Sequence, residues 1–390
     1  MVAGIICEYN PFHRGHAAML EQVRRWGADT IVCAMSGNFV QRGEAALFSK
    51  FARAEMALCG GADLVLELPA PWAMASAETF ARGGVEILTM AGCDTIAFGS
   101  ECGDAAVIGG VADTLLRPDF GEKVREKLTS GIPYAAARQQ AAEELMGADA
   151  AILSRPNDIL AVEYAKAVRE KRFDIKLLAV PRIAVAHDGA AAGEYASASH
   201  IRELLQNGEN GAAFDYIPTY SARIIQNEIE NGRMIDPARL EIAMLSRLRQ
   251  LREEDFARYD AGGEGLYHRF YDGVHSAATA DELLAAVKTK RYPMARLRRM
   301  AMAAWLDIPA APEQVPYLRV LAANEKGRAL LKKLQRQGVP ILTKPADVER
   351  LGCKAKSLFS SEADITDQFS LGMTSPQRPG ADWRYTPWMK

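Results

Sequence analysis

The sequence predicts an α/β protein: a parallel sheet covered by helices, followed by a mostly α-helical segment. Two observations carry this reading. Short apolar runs alternate with helical spacing from Val2 to Val180, and after Arg202 strand signals become rare while helical ones continue. Val2–Cys7 is short and apolar, the pattern of a strand buried on both faces. His16, Met19, Leu20 and Val23 follow at helical spacing. Thr30–Ala34 is the next strand and Phe51–Leu58 a helix. Asp63–Leu68 is a third strand, ended by Pro69. Glu78–Met90 is a helix, and Thr95–Phe98 and Ile175–Val180 are the fourth and fifth strands. Beyond Arg202, the stretches Arg223–Glu230, Pro237–Leu251, Ala280–Lys288, Met294–Leu306 and Asn324–Gln337 read as helices. Asp260–Gly265 reads as a glycine-rich loop, and the tail from Thr374, with its prolines, as a wrapped coil.

At 390 residues the chain exceeds one ordinary core, and we expect two domains, 1–206 and 207–390, with the change of character near Asn207–Gly211. Hydrophobic residues make up 49% and charged residues 25%, the balance of a soluble globular protein. The net charge of −2 means that a nucleic acid would have to be met by a local basic patch. The six cysteines form no CxxC pair, which reads as a reduced compartment without structural zinc. The run MVAGIICEYNPFHRGH lacks a basic leading region and a small-residue cleavage site, and no apolar stretch is long enough to span a bilayer. A cytoplasmic protein without membrane attachment is expected.

Ligands of parallel sheets bind at the carboxyl ends of the strands, and the unusual loops fall there. The sharpest is Asn10-Pro11-Phe12-His13-Arg14-Gly15-His16, between the first strand and the first helix. Gly15 lets a planar group approach the backbone. The free N–H groups of the helix start favour phosphate, and His13 and His16 can donate to phosphate oxygens or a leaving pyrophosphate. Far downstream, Ala196-Ser197-Ala198-Ser199-His200-Ile201-Arg202 has the form SxSxxIR. Ser197 or Ser199 can cap a helix whose start receives phosphate beside Arg202. The serines alone suit an ordinary capped helix; their pairing with HxGH favours ATP handling. The third loop, Ser36 to Glu44, directly follows the second strand. Its Ser36, Asn38, Gln41 and Arg42 could orient a carboxylate substrate.

Together with GADLVLELP, FGSE, RPNDILAVEY, PRIAVAHD, TKRYPMARLRRM and LRVLAANEKG, the strings GIICEYNPFHRGH and SGNFVQRGE resemble the tRNA(Met) cytidine acetate ligase family over nearly the whole chain. That family lies within the HxGH nucleotidyltransferase superfamily, with its Rossmann-like (HUP-type) catalytic fold. The resemblance implies that acetate and ATP form acetyl-adenylate and pyrophosphate. The exocyclic amine of the wobble cytidine of elongator tRNA(Met) then attacks, giving N4-acetylcytidine and AMP. It implies His13 and His16 as catalytic. It places ATP contacts on Ile6, Cys7, Glu8, Tyr9, Asn10, Pro11, Phe12, His13, Gly15 and His16, and on Gly99, Asn157 and Arg182, with Ser197, Ser199 and Arg202 completing the phosphate site. Mg²⁺ is expected to arrive with ATP, with no dedicated metal site. Two departures stand out, Ala45 where proline is expected after QRGE and Pro293 where a polar residue is expected.

Lys288, Lys290, Arg291, Arg296, Arg298 and Arg299 fall in one short segment free of acidic residues, with Tyr292 interleaved. Such a cluster can neutralise RNA phosphates, and the aromatic can stack on a base; composition alone also suits the solvated face of a helix. Lys326, Arg328, Lys332, Lys333 and Arg336 form a second basic stretch. Two other functions remain open at this point: a small-metabolite adenylyltransferase, which would share HxGH and SxSxxIR, and a non-catalytic nucleotide-sensing RNA-binding protein.

Overall fold

The computed structural model describes residues 1–182, 191–259 and 265–390. Most of the segment PRIAVAHD and most of the expected glycine-rich loop Asp260–Gly265 lie outside these residues. The strands are β1 (Val2–Cys7), β2 (Thr30–Ser36), β3 (Phe39–Val40), β4 (Glu44–Ala45), β5 (Leu64–Leu68), β6 (Thr95–Ser100), β7 (Lys176–Pro181), β8 (Ala191–Ala192), β9 (Tyr195–Ala196), β10 (Leu318–Ala323), β11 (Ile341–Leu342) and β12 (Trp388–Met389). The main sheet runs β11-β10-β5-β2-β1-β6-β7, and β12 also pairs with β10. From β5 to β7 every pairing is parallel. The chain steps outward from β1 through β2 to β5, then returns to the other side of β1 for β6 and β7. A crevice opens at such a reversal, above the carboxyl ends of β1 and β6.

β1 shows why these residues make a central strand. Its side chains alternate between two cores: Ala3, Ile5 and Cys7 pack with Cys33, Phe12 and Ile201, while Ile6 packs on the other side against the core of Val32, Phe80 and Phe98. The helix Ala77–Met90 lies so close on the Ile6 side that a Cβ at Gly84 would stand 2.6 Å from Ile6. The helices Arg14–Arg25 and Ala198–Gln206 cover the Cys7 side, and Pro156–Glu170 joins Ala77–Met90 on the Ile6 side.

The segment after Arg202 is helical as expected, but it also returns to the sheet. β10 pairs antiparallel with β5 and carries β11 and β12 on its other side. The apolar run of β10 is short and interrupted by Arg319, so periodicity does not mark it as a strand. The tail is not only coil, since Trp388–Met389 is β12 and Ala381–Arg384 a short helix. The helices Ala105–Leu115, Pro118–Leu128, Tyr134–Met146 and Cys353–Leu371 had no sequence expectation. A third core, around Leu248, Phe270, Leu297 and Trp305, fills the helical segment and meets the β3–β4 hairpin at Phe39, whose ring packs edge-on against Trp305 and Phe369.

Candidate active site

At the reversal lies a cleft of about 940 Å³. It is lined by Ile6, Cys7, Glu8, Tyr9, Asn10, His13, Gly15 and His16 from the first loop, and by Ser197, Ser199 and Arg202 from the second motif. Gln41, Arg42 and Glu44 border it, as do Gly99, Asn157 and Arg182. Residues widely separated in sequence thus share one crevice. Pro11 and Phe12 stand just behind it in the core.

The two histidines cap their own helix. The His13 Nδ1 accepts from the Gly15 N–H at 3.1 Å, and the His16 Nδ1 accepts from the His13 N–H at 3.3 Å. Each neutral ring therefore carries its proton on Nε2, leaving one donor per ring. The rings stack 3.7 Å apart. The protein packed around them, and then the guanidiniums of Arg182 and Arg202, hold the His13 imidazole well below its ordinary range; burial and the neighbouring His13 and Arg182 do the same for His16. Both are neutral donors near pH 7. The planar group that Gly15 admits is the ring of His13, whose Cε1 would stand 3.0 Å from a Cβ there.

Arg202 joins the two motifs. It donates to the Asn10 carbonyl at 2.9 Å and to the Ser199 hydroxyl at 3.3 Å. Ser197 caps the helix Ala198–Gln206 through the His200 N–H. Asn157 lies in the first turn of the helix Pro156–Glu170, and its amide donates to Glu101. A Cβ at Gly99 would make only an ordinary 3.5 Å contact with Arg182. The protein itself does not demand glycine there, so any demand comes from what enters the cleft.

The third loop divides. Gln41 and Arg42 line the cleft, whereas Ser36 and Asn38 do not; both are buried behind it. Asn38 accepts from the Lys50 N–H at 2.8 Å and donates to Thr366 at 3.0 Å. Beneath them lies a closed cluster of charges. Lys50 pairs with Glu67 at 2.6 Å and Asp382 at 2.9 Å, and Arg319 pairs with the same two carboxylates at 3.2 and 2.6 Å. Burial, then the nearby charge of Glu67, pushes the Glu362 carboxyl up to about 8. With Glu362 protonated, two cations meet two carboxylates and the cluster is neutral.

The basic segment lies against this same loop. Arg298 pairs with Glu44, and Arg299 donates to the Gln41 carbonyl at 3.2 Å. Gly43, at φ 74°, is pressed on the backbone of Arg298 and Arg299, where a Cβ would come within 2.5 Å of the Arg299 nitrogen. Lys290 and Arg291 are exposed, while the Lys288 ammonium caps the Thr289 and Tyr292 carbonyls. Tyr292 is not available for stacking on a base: it is 4% exposed, with the Arg296 guanidinium 5.1 Å above its ring. Pro293 directly precedes the helix Met294–Leu306, and Ala45 pairs with Phe39 in the short hairpin.

A family model described as HIGH Nucleotidyl Transferase matches residues 1–381. The chain belongs to the HIGH nucleotidyl transferase family. It is 36% identical to the tRNA(Met) cytidine acetate ligase of Fervidobacterium nodosum over 356 residues, 88% of this chain and 83% of that protein. It is also 36% identical to the tRNA(Met) cytidine acetate ligase of Acetivibrio thermocellus over 408 residues, 99% of this chain and 98% of that one. The fold is similar to Thermotoga maritima TmcAL bound with alpha-thio ATP, with a TM-score of 0.92 and 29% identity, covering 100% of this chain and 99% of that one. The apo form of the same protein gives 0.94 at 28% identity, with the same coverage.

Two residues that shape this HIGH-family cleft escaped the sequence reading. Arg53, fully buried, donates to the carbonyls of Glu8 at 2.6 Å, Ser36 at 3.2 Å and Phe48 at 3.0 Å, and also to Gly37, tying the loops after β1 and β2 together. Asp158, also fully buried, accepts from the Ser100 hydroxyl at 2.6 Å and from the N–H groups of Glu101 and Cys102. Glu101 in turn accepts the Asp158 N–H at 3.1 Å, so the FGSE turn and the helix bearing Asn157 clasp each other. No sequence signal singles them out, because both helices carry further charged residues, Lys50 and Glu55 in one and Glu163, Lys166 and Arg169 in the other.

Proposed function

We propose that this chain is an ATP-dependent ligase that acetylates N4 of the wobble cytidine of elongator tRNA(Met) through an acetyl-adenylate. The observation that carries this reading is the pair of neutral Nε2–H donors beside Arg202, inside a cleft whose other border rests on the basic segment. The names of the curated relatives support the same assignment.

An acetate oxygen attacks the α-phosphorus of ATP, and the bond to pyrophosphate breaks. His13 and His16 donate to the charge that develops on the phosphoryl oxygens and the leaving group, and Arg202 and Arg182 supply fixed positive charge. Gln41 and Arg42 are the members of the third loop placed to orient acetate. The cytidine amine then displaces AMP. Mg²⁺ would accompany ATP and neutralise charge on its phosphates, with phosphate oxygens and water rather than side chains as its ligands. Among the described residues no group of three or more His, Cys, Asp or Glu is placed to hold a metal ion, and in the cleft Glu8 and Glu44 already face the Gln41 N–H and Arg298. Residues 1–206 carry the ATP and acetate chemistry and 207–390 the RNA-facing surface, although β10–β12 complete the sheet. No helix among the described residues is long and apolar enough to cross a membrane, and a tRNA substrate places the protein in the cytoplasm.

The test incubates protein, ATP, Mg²⁺, labelled acetate and tRNA(Met) transcript, then digests the tRNA. N4-acetylcytidine at the wobble position, dependent on ATP, is the expected product. Pyrophosphate release with a small-molecule acceptor, and none with acetate, would point to a metabolite adenylyltransferase instead. No pyrophosphate release at all would leave a nucleotide-sensing binding protein.

A further inference from the structure

The cleft has two chemically different sides, divided by the end of β1. On the Cys7 side stand His13, His16 and Arg202, the groups that suit phosphate. On the Ile6 side the lining is mainly apolar, formed by Ile6, Phe80, Phe98, Leu160 and Tyr164, with Asn157 also on this side. Strand alternation places the residue after Cys7 on the Ile6 side. That residue is Glu8, the carboxylate that borders this apolar chamber.

One Glu8 oxygen accepts the Gln41 N–H at 2.9 Å, and the Gln41 amide reaches the Ala75 carbonyl at 3.1 Å, next to Ala77. Glu8 is thus held against the chamber wall, with one oxygen used and the rest of its accepting capacity unassigned. A carboxylate here repels triphosphate and suits a neutral planar group that carries an amine, which describes cytosine and the adenine of ATP alike; the loop that borders this side and rests on the basic segment favours the RNA base. The chamber is also bordered by Gln41, Arg42 and Glu44, the loop that rests on Arg298 and Arg299, so a base reaching in from the basic segment arrives at this side. The whole cleft, about 940 Å³, is at the upper end of the about 300–1,000 Å³ typical of ligand sites, which leaves space for more than one planar group.

We infer that the Ile6 side of the cleft is the acceptor-base subsite, and that the Glu8 carboxylate takes the proton released by the attacking amine. The inference rests on the proposed ligase reaction and names a group within it. The cytosine N4 forms a bond to the acetyl carbonyl carbon, the bond from that carbon to the AMP phosphate oxygen breaks, AMP leaves with the electron pair, and one N4 proton passes to Glu8. Burial raises the Glu8 carboxyl above its ordinary range, making it a stronger base, while the Gln41 N–H and the charges of Arg202, Arg53 and Arg42 oppose that rise. Of the other titratable neighbours, Cys7 and Tyr164 are held in their protonated forms by burial, and the Glu44 carboxylate is paired with Arg298.

Glu8→Gln is the test, because the amide keeps an oxygen for the Gln41 N–H and loses only the basicity. Two steps are measured separately. The first is acetate-dependent ATP–pyrophosphate exchange with a tRNA carrying uridine at the wobble position, which has no amine to acetylate. The second is single-turnover acetyl transfer to the cytidine tRNA across a pH series. The expected result is transfer slower by about 10²–10⁴-fold, far beyond any accompanying loss of exchange, so that the ratio of transfer to exchange collapses. The wild-type transfer rate should fall toward low pH through the raised Glu8 carboxyl, and the variant should lack that limb. Loss of exchange together with transfer would overturn the inference and give the chamber to ATP or acetate. Transfer at the wild-type rate would overturn it as well. Wild-type protein that acetylates no cytidine would instead defeat the ligase reading itself, whatever Glu8 does.

Discussion

Two polar clusters flank the carboxyl ends of β1 and β2, built on opposite terms. The histidine pair opens onto the cleft, holds no net charge, and keeps one donor per ring unspent on the protein. The cluster of Lys50, Glu67, Arg319, Asp382 and Glu362 is closed, and its charges are matched from three distant parts of the chain. The loop that borders the cleft touches it closely: a Cβ at Gly37 would lie 2.9 Å from Glu67, and Asn38 bonds the Lys50 N–H and Thr366. The difference teaches that burial of charge is not by itself a sign of chemistry. Access decides it: one cluster can meet a ligand, and the other can only hold the frame.

The largest expected effect breaks the closed cluster. Lys50→Ala leaves Glu67 and Asp382 short of a cation in a dry site and should cost about 3–5 kcal/mol of stability. Chemical denaturation checks it, and a loss under about 1 kcal/mol would mean water reaches the cluster. Next, His16→Ala should slow adenylate formation by about 10²–10³-fold. Its melting temperature should drop only by the loss of one helix cap, about 1 kcal/mol. Comparable losses of folding and of rate would make the histidine structural, and the contrast between the clusters would fail.

A smaller effect sharpens the comparison by pH. Folded Glu362 keeps its proton up to about pH 8, against the ordinary value of 4.5. The folded chain therefore binds more protons than the unfolded one between these values, and stability falls as pH rises through that window, by at most about 1.4 kcal/mol per pH unit. Glu362→Gln, a fixed mimic of the protonated acid, should remove this part of the slope in melts across the window; an unchanged slope would place the proton elsewhere. Smallest is the exposed pair. Lys290→Ala or Arg291→Ala should weaken tRNA binding modestly and flatten its log–log salt dependence by about one unit for each phosphate no longer neutralised. Arg298→Ala, whose side chain is spent on Glu44, should act more on the cleft loop than on the salt slope.

Sequence legibility follows the same division. His13, Gly15 and His16 stand in one contiguous string at a strand end, and Arg202 follows its serines at fixed spacing, so residue type and position point to the same chemistry. Arg53 and Asp158 were invisible because their partners are mostly backbone groups, which every sequence possesses. Ser36 and Asn38 look no different in sequence from Gln41 and Arg42. Ser36 ends the buried strand β2 and Asn38 stands buried before β3, while Gln41 and Arg42 sit in the hairpin turn at the cleft. The five parallel strands were readable from apolar runs, but β10 was not, since its place depends on the edge that β5 offers.

That edge has a consequence for how the protein is made. A ribosome delivers β5 long before β10, so the fully buried strand Leu64–Leu68 waits with one side unpaired, and Lys50 and Glu67 wait for Arg319 and Asp382. An open apolar edge beside unmatched charge is what aggregation and cellular quality control act on. A chain broken off before Leu318 would retain His13, His16 and Arg202 and lack a finished frame to hold them. Such a chain would carry the phosphate-handling side chains without the β10 edge and the Arg319 and Asp382 charges that complete the sheet beneath them.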